Sequence, residues 1–296
     1  MTIKDRLLIV ICGPTASGKT AAAIQAAAKL QTEILSADSR QFFHETRIGT
    51  ASPSASELAA VPHHFIGHLS IHDNYNISRF ESDAIGKLDF LFANHSAVIM
   101  VGGSGLYING VCHGIDELPD PDPTLRKQLK EDLSTHGIRS LQEKLTILDP
   151  VYAAEVDVFN PARLIRALEV CITTGKAYSS LRTNRPKSRN FLTKKLGLTV
   201  PREILNDRIN KRVDTMIAAG LVEEARSLYH YRHLNALNTV GYKELFQYFD
   251  GIVPLERAIT NIKTNTRRYA KRQMTWLRKD TEIQWIEPEK INEFLT

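Results

Sequence analysis

One stretch constrains this chain more than any other. The apolar run LLIVIC, Leu7–Cys12, leads directly into GPTASGKT at 13–20 and then into the alanine-rich TAAAIQAAAKL. A short apolar run ending in a turn reads as a buried strand, and the alanine-rich stretch reads as a helix. In G-x-x-x-x-G-K-[ST] the glycines let the backbone curl so that successive N–H groups point inward, and the following helix adds its positive end. Lys19 would reach the outer phosphates and the Thr20 hydroxyl would hold a Mg²⁺ ion. A plain glycine-rich turn does not explain Lys19 and Thr20. The motif announces a phosphate without saying whose.

Further strand signals lie at 33–37, 97–101, 195–200 and 282–286, with amphipathic helical stretches between most of them. Strands alternating with helices predict an α/β fold: a P-loop-type core with a mainly parallel sheet flanked by helices. From about 118 to 178 the strand signals stop. DPDPTLRKQLKEDLSTHG, IRSLQEKLTILD and PARLIRALEVCITTG read as helices with acidic or proline starts. The organisation expected is a first core part at 1–117, an all-helical insertion domain at 118–190, and a second core part at 191–296 ending in a basic helix. The proline-rich ELPDPDP and the basic RTNRPKSRN would be the hinges of the insertion.

The net charge of +5 is unevenly spread. KTNTRRYAKRQMTWLRK, 263–279, is rich in Lys and Arg and free of acidic residues, and SLRTNRPKSRNFLTKK, 180–195, repeats the bias. Such tracts, interleaved with aromatics, fit a polyanion larger than a nucleotide, because cations beside phosphates release condensed counterions. Charge alone leaves a solvated helix face as an equal reading. Apolar runs of about six residues are too short for a bilayer or an export signal, so no membrane is expected. Cys12, Cys112 and Cys171 are far apart and form no C-x-x-C, which fits small core residues in a reducing, cytoplasmic setting.

In open α/β sheets ligands bind beyond the carboxyl ends of the strands. After the second strand signal comes ADSRQ with Asp38, after the third GGSGLY, and after the fourth Pro201, opening a helix in which Arg208 and Arg212 share a face. A nucleotide hydrolase usually ends a neighbouring strand in a Mg²⁺-holding Asp, yet AVIMV runs into Gly102 and Gly103. A small-molecule or nucleoside kinase using Asp38 as its base therefore stays open. So does a non-catalytic RNA-binding protein, although it would not need Lys19, Thr20 and Asp38 together.

Taken together, GPTASGKT, DSRQ, IGTA-x-P at 48–53, HHFIGHL at 63, VGGSGLYI at 101, NPARLIRALEV at 160, GLVEEARSL at 220, NTVGYKEL at 238 and AKRQMTWLRK at 270 resemble the tRNA dimethylallyltransferases. The motifs occur in the family's order along nearly the whole chain. The resemblance implies that the loop, Gly13, Pro14, Thr15, Ala16, Ser17, Gly18, Lys19 and Thr20, holds the diphosphate of dimethylallyl diphosphate, with Thr20 on Mg²⁺. It implies transfer of the five-carbon group to an adenosine beside the tRNA anticodon. An adenine amine is a poor nucleophile, so a carboxylate must accept its proton, and Asp38 is the expected base. Thr15 facing the substrate and Arg212 on the leaving diphosphate follow from the same resemblance, with Arg208 as a lesser substitute for Arg212.

Contacts to the anticodon stem-loop are implied for Asp38, Ser39, Arg40, Gln41, Ser104 and Arg126. They are implied also for Ala162, Arg163, Leu164, Ile165 and Arg166, for Asn238, Thr239, Val240, Gly241, Tyr242 and Lys243, and for Lys271, Arg272, Gln273 and Arg278. Single-stranded loops with splayed bases are the usual targets of sequence-specific RNA recognition. The enzyme is expected to act as a monomer. His63, His64, His68 and His72 read as structural rather than as a zinc site, since Pro62 breaks a continuous helix. Tyr229, Tyr231, Phe246, Tyr248 and Phe249 read as core. One departure stands out: where family members often carry Lys in the IGTA turn, this chain has Ser52.

Overall fold

The opening apolar run becomes β1, Leu7–Cys12, fourth in a six-stranded sheet. The other strands are β2 (Ile34–Ser36), β3 (His63–His64), β4 (Ala97–Gly102), β5 (Leu192–Leu198) and β6 (Ile283–Ile286), in the order β3-β2-β4-β1-β5-β6. Every pairing is parallel. This computed structural model describes residues 6–120, 122–183 and 185–295, so Pro121 and Asn184 of the two expected hinges lie outside the described residues.

Side chains alternate across a strand. Leu8, Val10 and Cys12 accordingly enter one core cluster, while Ile9 and Ile11 enter the other. The second cluster is closed by α1 (Lys19–Leu30), whose Ala22, Ala23, Ala26 and Ala27 lie flat on the sheet. The first is covered by α3 (Ile77–Leu91) and α4 (Gly105–His113), after the short α2 (Ala55–Ala60).

The chain divides into two compact units, Met1–Cys112 with Ser188–Thr296, and His113–Lys187. The second is all helix: α5 (Pro123–His136), α6 (Ile138–Leu148), α7 (Pro150–Glu155), α8 (Pro161–Thr174) and α9 (Tyr178–Leu181). Asp122, Asp149 and Asn160 cap α5, α7 and α8, each followed by proline in the first turn, where its missing N–H costs nothing. Leu129, Leu141, Leu145, Leu164 and Leu168 form this unit's own core. The first unit resumes with β5, α10 (Arg202–Ala218), α11 (Leu221–Leu228), α12 (Tyr242–Phe249) and the 23-residue α13 (Leu255–Leu277).

Two details differ from the sequence reading. The two-residue β3 falls on HisHis and joins the sheet only through β2; His64 pairs with Glu33 at 2.5 Å and His63 Nδ1 meets the Val61 carbonyl at 2.7 Å. β5 spans Leu192–Leu198 rather than 195–200, because it pairs with the whole of β1 from Leu192 to Gly197; within it buried Lys195 is matched by Asp280 and Glu282 at 2.7 and 2.8 Å. A lysine that interrupts the apolar pattern therefore sits inside the sheet.

Candidate active site

All strands run the same way, so their carboxyl ends bring the loops after β1, β2 and β4 to one edge. Gly13 and Gly18 hold φ values of 154° and 92°, where glycine costs least. Ala16 also has a positive φ, 65°, and is secured by packing against Leu205 and Ile209 of α10 and Ala270 of α13. Gly18 precedes α1 without any side-chain cap, and no acidic residue occupies the first turn. The helix start is thus left to an anion.

Lys19 folds back to donate to the Pro14 carbonyl at 2.6 Å. Burial pushes its ammonium down to about 8; Asp38 opposes that shift and Arg212 adds to it. Arg212 is likewise lowered by burial, against the pull of Asp38. Its guanidinium donates to the Thr15 hydroxyl at 3.4 Å. Ser17 Oγ is buried and finds no hydrogen-bond partner among the described residues.

Two cavities meet at these groups. A polar one of about 340 Å³ is lined by the loop with Ser36, Asp38 and Arg212. A smaller one of about 90 Å³ shares Thr15, Lys19, Asp38 and Arg212 but is walled by Val213, Met216, Leu221, Val240 and Ile262. Asp38 is set by its own turn: its Oδ1 accepts the Arg40 N–H at 3.1 Å. Ser39 and Ser104 hydroxyls lie 3.2 Å apart. Arg40 donates to the Asn235 carbonyl at 3.2 Å.

Several expected contact residues are turned inward. Gln41 donates to the Thr50 and Ala51 carbonyls and accepts from Ser36 Oγ, which joins the DSRQ turn to the IGTA turn. That second turn hangs on Glu224, which accepts the Ile48 and Gly49 N–H groups, both at 2.8 Å, and the Tyr242 hydroxyl at 2.6 Å. Gly49 has no room for a Cβ because the Tyr242 ring lies against it. Leu164 and Ile165 belong to the helical unit's core, leaving Ala162 and Arg163 exposed. Arg126 grips buried Glu169 through two bonds of 2.5 and 2.6 Å, and Arg166 donates to the Pro119 carbonyl at 2.9 Å. Gln273 is buried, whereas Lys271, Arg272 and Arg278 are exposed. Asn238 and Lys243 are exposed too, while Thr239, Val240 and Gly241 line the smaller cavity.

The sequence reading missed Tyr269. It lines the smaller cavity, hydrogen-bonds to Ser104, and is pushed up to about 12 by burial and the nearby Asp38. Ile262, Thr266, Tyr269 and Gln273 form one stripe of α13 facing that cavity. Their i, i+4, i+7, i+11 spacing is the signal that finds them. His63, His64, His68 and His72 do not gather into a metal-ligand cluster. His68 packs against Phe42, Phe65 and Tyr75 instead. All three cysteines are buried and free. Among the described residues no helix is long and apolar enough to cross a membrane.

A family model described as IPP transferase matches residues 41–280. The chain is 58% identical over 280 residues to a tRNA dimethylallyltransferase of Christiangramia forsetii, covering 95% of this chain and 93% of that protein. It is 47% identical over 288 residues to tRNA dimethylallyltransferase 1 of Phocaeicola vulgatus, covering 97% and 96%. Among solved structures, the full-length tRNA isopentenylpyrophosphate transferase of Bacillus halodurans matches with a TM-score of 0.71 at 36% identity, covering 99% of this chain and 95% of that one. A eukaryotic dimethylallyltransferase acting on tRNA matches with a TM-score of 0.80 at 26% identity, covering 98% and 76%.

Proposed function

The chain belongs to the IPP transferase family, and we propose that it transfers a dimethylallyl group from dimethylallyl diphosphate to tRNA, at the N6 amine of the adenosine 3′-adjacent to the anticodon, releasing diphosphate. The observation that carries this reading is the wall shared by the two cavities: Thr15, Lys19, Asp38 and Arg212 face both the phosphate loop and the apolar slot. A polar cradle opening into an apolar slot suits an anion with a short hydrocarbon tail. The aliphatic wall of the slot, Val213, Met216, Leu221, Val240 and Ile262, matches a short hydrocarbon rather than a polar acceptor. That favours prenyl transfer over the kinase reading.

In the reaction the allylic C–O bond breaks, the C–N bond forms, and the amine proton passes to the Asp38 carboxylate. Charge grows on the diphosphate, where Lys19, Arg212 and the N-terminus of α1 oppose it. Thr15 Oγ1, fixed by Arg212, faces the same atoms. The oxygen donors that line the polar cavity, the Thr20 and Ser36 hydroxyls with the Asp38 carboxylate, fit a hard cation. Thr20 would hold Mg²⁺, which supplies further neutralisation of the leaving diphosphate.

On the RNA side, Ser39, Arg40 and Ser104 border the reacting base beside Asp38. Ala162, Arg163, Asn238, Lys243, Lys271, Arg272 and Arg278 offer exposed contact. Arg126 and Arg166 add charge on the helical unit, while Gln41, Leu164, Ile165, Tyr242 and Gln273 support these contacts from inside. Phosphate contacts of this kind position without specifying. The enzyme is taken to act as a monomer, and three free buried cysteines suit a reducing cytoplasm. Incubating the protein with labelled dimethylallyl diphosphate, Mg²⁺ and bulk tRNA, without ATP, should place label in the RNA. Transfer of phosphate from ATP to a small acceptor, with no label in any tRNA, would establish the kinase instead.

A further inference from the structure

Residue 15 of the phosphate loop is bonded to a residue 258 positions away. The Thr15 N–H donates to Gln273 Oε1 at 2.9 Å, and Gln273 Nε2 donates to the Gly103 carbonyl at 3.0 Å. Both ends of one buried amide thus join the loop after β1 to the loop after β4. Gly103 is glycine for the same reason: a Cβ there would fall on Gln273 Nε2. On its other side Thr15 accepts the Arg212 N–H through its hydroxyl, so its backbone and side chain are each held. The neighbouring Ala16 packs on Ala270, one turn before Gln273 on α13.

The next two residues of the same helix, Lys271 and Arg272, point the other way and are exposed. A continuous helix moves as a rigid element within a close-packed interior. A load on the outer face of α13 therefore reaches Thr15 through one side chain. We propose that Gln273 is a positioning residue for the transfer reaction: it makes the geometry of the diphosphate cradle depend on the seating of α13, so that RNA on the outer face and diphosphate in the loop strengthen each other's binding. This rests on the reading of the loop as a diphosphate cradle and of α13 as an RNA-contacting helix. Coupling between two sites is reciprocal, so either ligand can be varied to measure it.

The test measures binding of inorganic pyrophosphate with Mg²⁺, with and without a saturating synthetic anticodon stem-loop, for the wild type, Gln273→Met and Gly103→Ala. Methionine keeps the length of glutamine and loses both hydrogen bonds. Gly103→Ala displaces the amide from the opposite side without changing any residue of α13. In the wild type the stem-loop should tighten pyrophosphate binding by about fivefold or more. Both variants should bring that factor close to one; each is expected to lower the melting temperature, so binding is read well below the transition, where circular dichroism shows the variants folded. In turnover, KM for dimethylallyl diphosphate should rise more than kcat falls. A wild type that binds both ligands independently, or variants that keep the wild-type factor, would overturn the inference alone. Failure of the wild type to bind pyrophosphate or stem-loop at all would overturn the functional reading and this inference with it.

Discussion

Lys19 makes the cradle sensitive to pH in a direction and size that can be worked out. Burial lowers its ammonium to about 8, so the free protein carries that charge in about 90% of molecules at pH 7 and about 10% at pH 9. A bound diphosphate favours the charged form. If only that form binds well, the affinity due to Lys19 falls by the ratio of the two charged fractions. That ratio is about tenfold between pH 7 and pH 9, or about 1.4 kcal/mol. Asp38 opposes the downward shift and Arg212 adds to it. Pyrophosphate itself ionises over this range, so the quantity to read is the ratio of its dissociation constants for Lys19→Met and the wild type. Titration calorimetry with Mg²⁺ at pH 7, 8 and 9 should show that ratio shrinking about tenfold toward high pH, because the wild type comes to resemble the variant. A ratio that stays constant or widens would refute the assignment of Lys19 as the titrating cation of the cradle.

Asp38→Ala should lower turnover by about 10²- to 10⁴-fold while leaving stem-loop affinity nearly unchanged, since the carboxylate acts on a proton that moves only during reaction; single-turnover transfer of labelled dimethylallyl diphosphate reads this. Neutralising exposed Lys271 and Arg272 together should flatten the slope of log K for RNA against log salt by up to about two. Arg267, held by Asn210 and Thr264 at 2.6 and 3.0 Å, should leave that slope unchanged when replaced. Gly49→Ala would drive a methyl group into the Tyr242 ring, and should lower stability by about 1–3 kcal/mol in a denaturant titration.

What the sequence made legible was local. The first strand, the phosphate loop and α1 are contiguous, and the caps of α5, α7 and α8 lie within three residues of the groups they satisfy. β3 was not legible, because two histidines carry no apolar period and pair only with β2. Glu224 could be quoted from its motif but not explained, since its partners Ile48, Gly49 and Tyr242 come from two other motifs. Tyr269 was missed and Gln273 was read as an RNA contact for the same reason: their inward stripe stands out only once the basic residues of α13 are known to face away. The basic tract draws the eye to charge, and the chemistry lies on the opposite side of the helix.

The two glycines that end β4 show why a nucleotide-type loop can serve a different leaving group. In a hydrolase that strand would end in a metal-holding Asp. Here a Cβ at Gly102 would strike the Ala37 backbone, and one at Gly103 would strike Gln273. The space an Asp would need is filled by the end of β2 and by α13. The carboxylate appears instead one strand over, as Asp38, turned by its bond to the Arg40 N–H toward the cavity that the loop shares with the apolar slot. A carboxylate at the β4 end would be committed to a cation. Asp38, at the β2 end, lies on the wall that both cavities share with Lys19 and Arg212, and in the proposed reaction it takes the proton from the acceptor while those cations face the leaving group. On the proposed reading, moving one acidic residue by one strand thus places the proton acceptor beside the anion cradle on an otherwise shared scaffold.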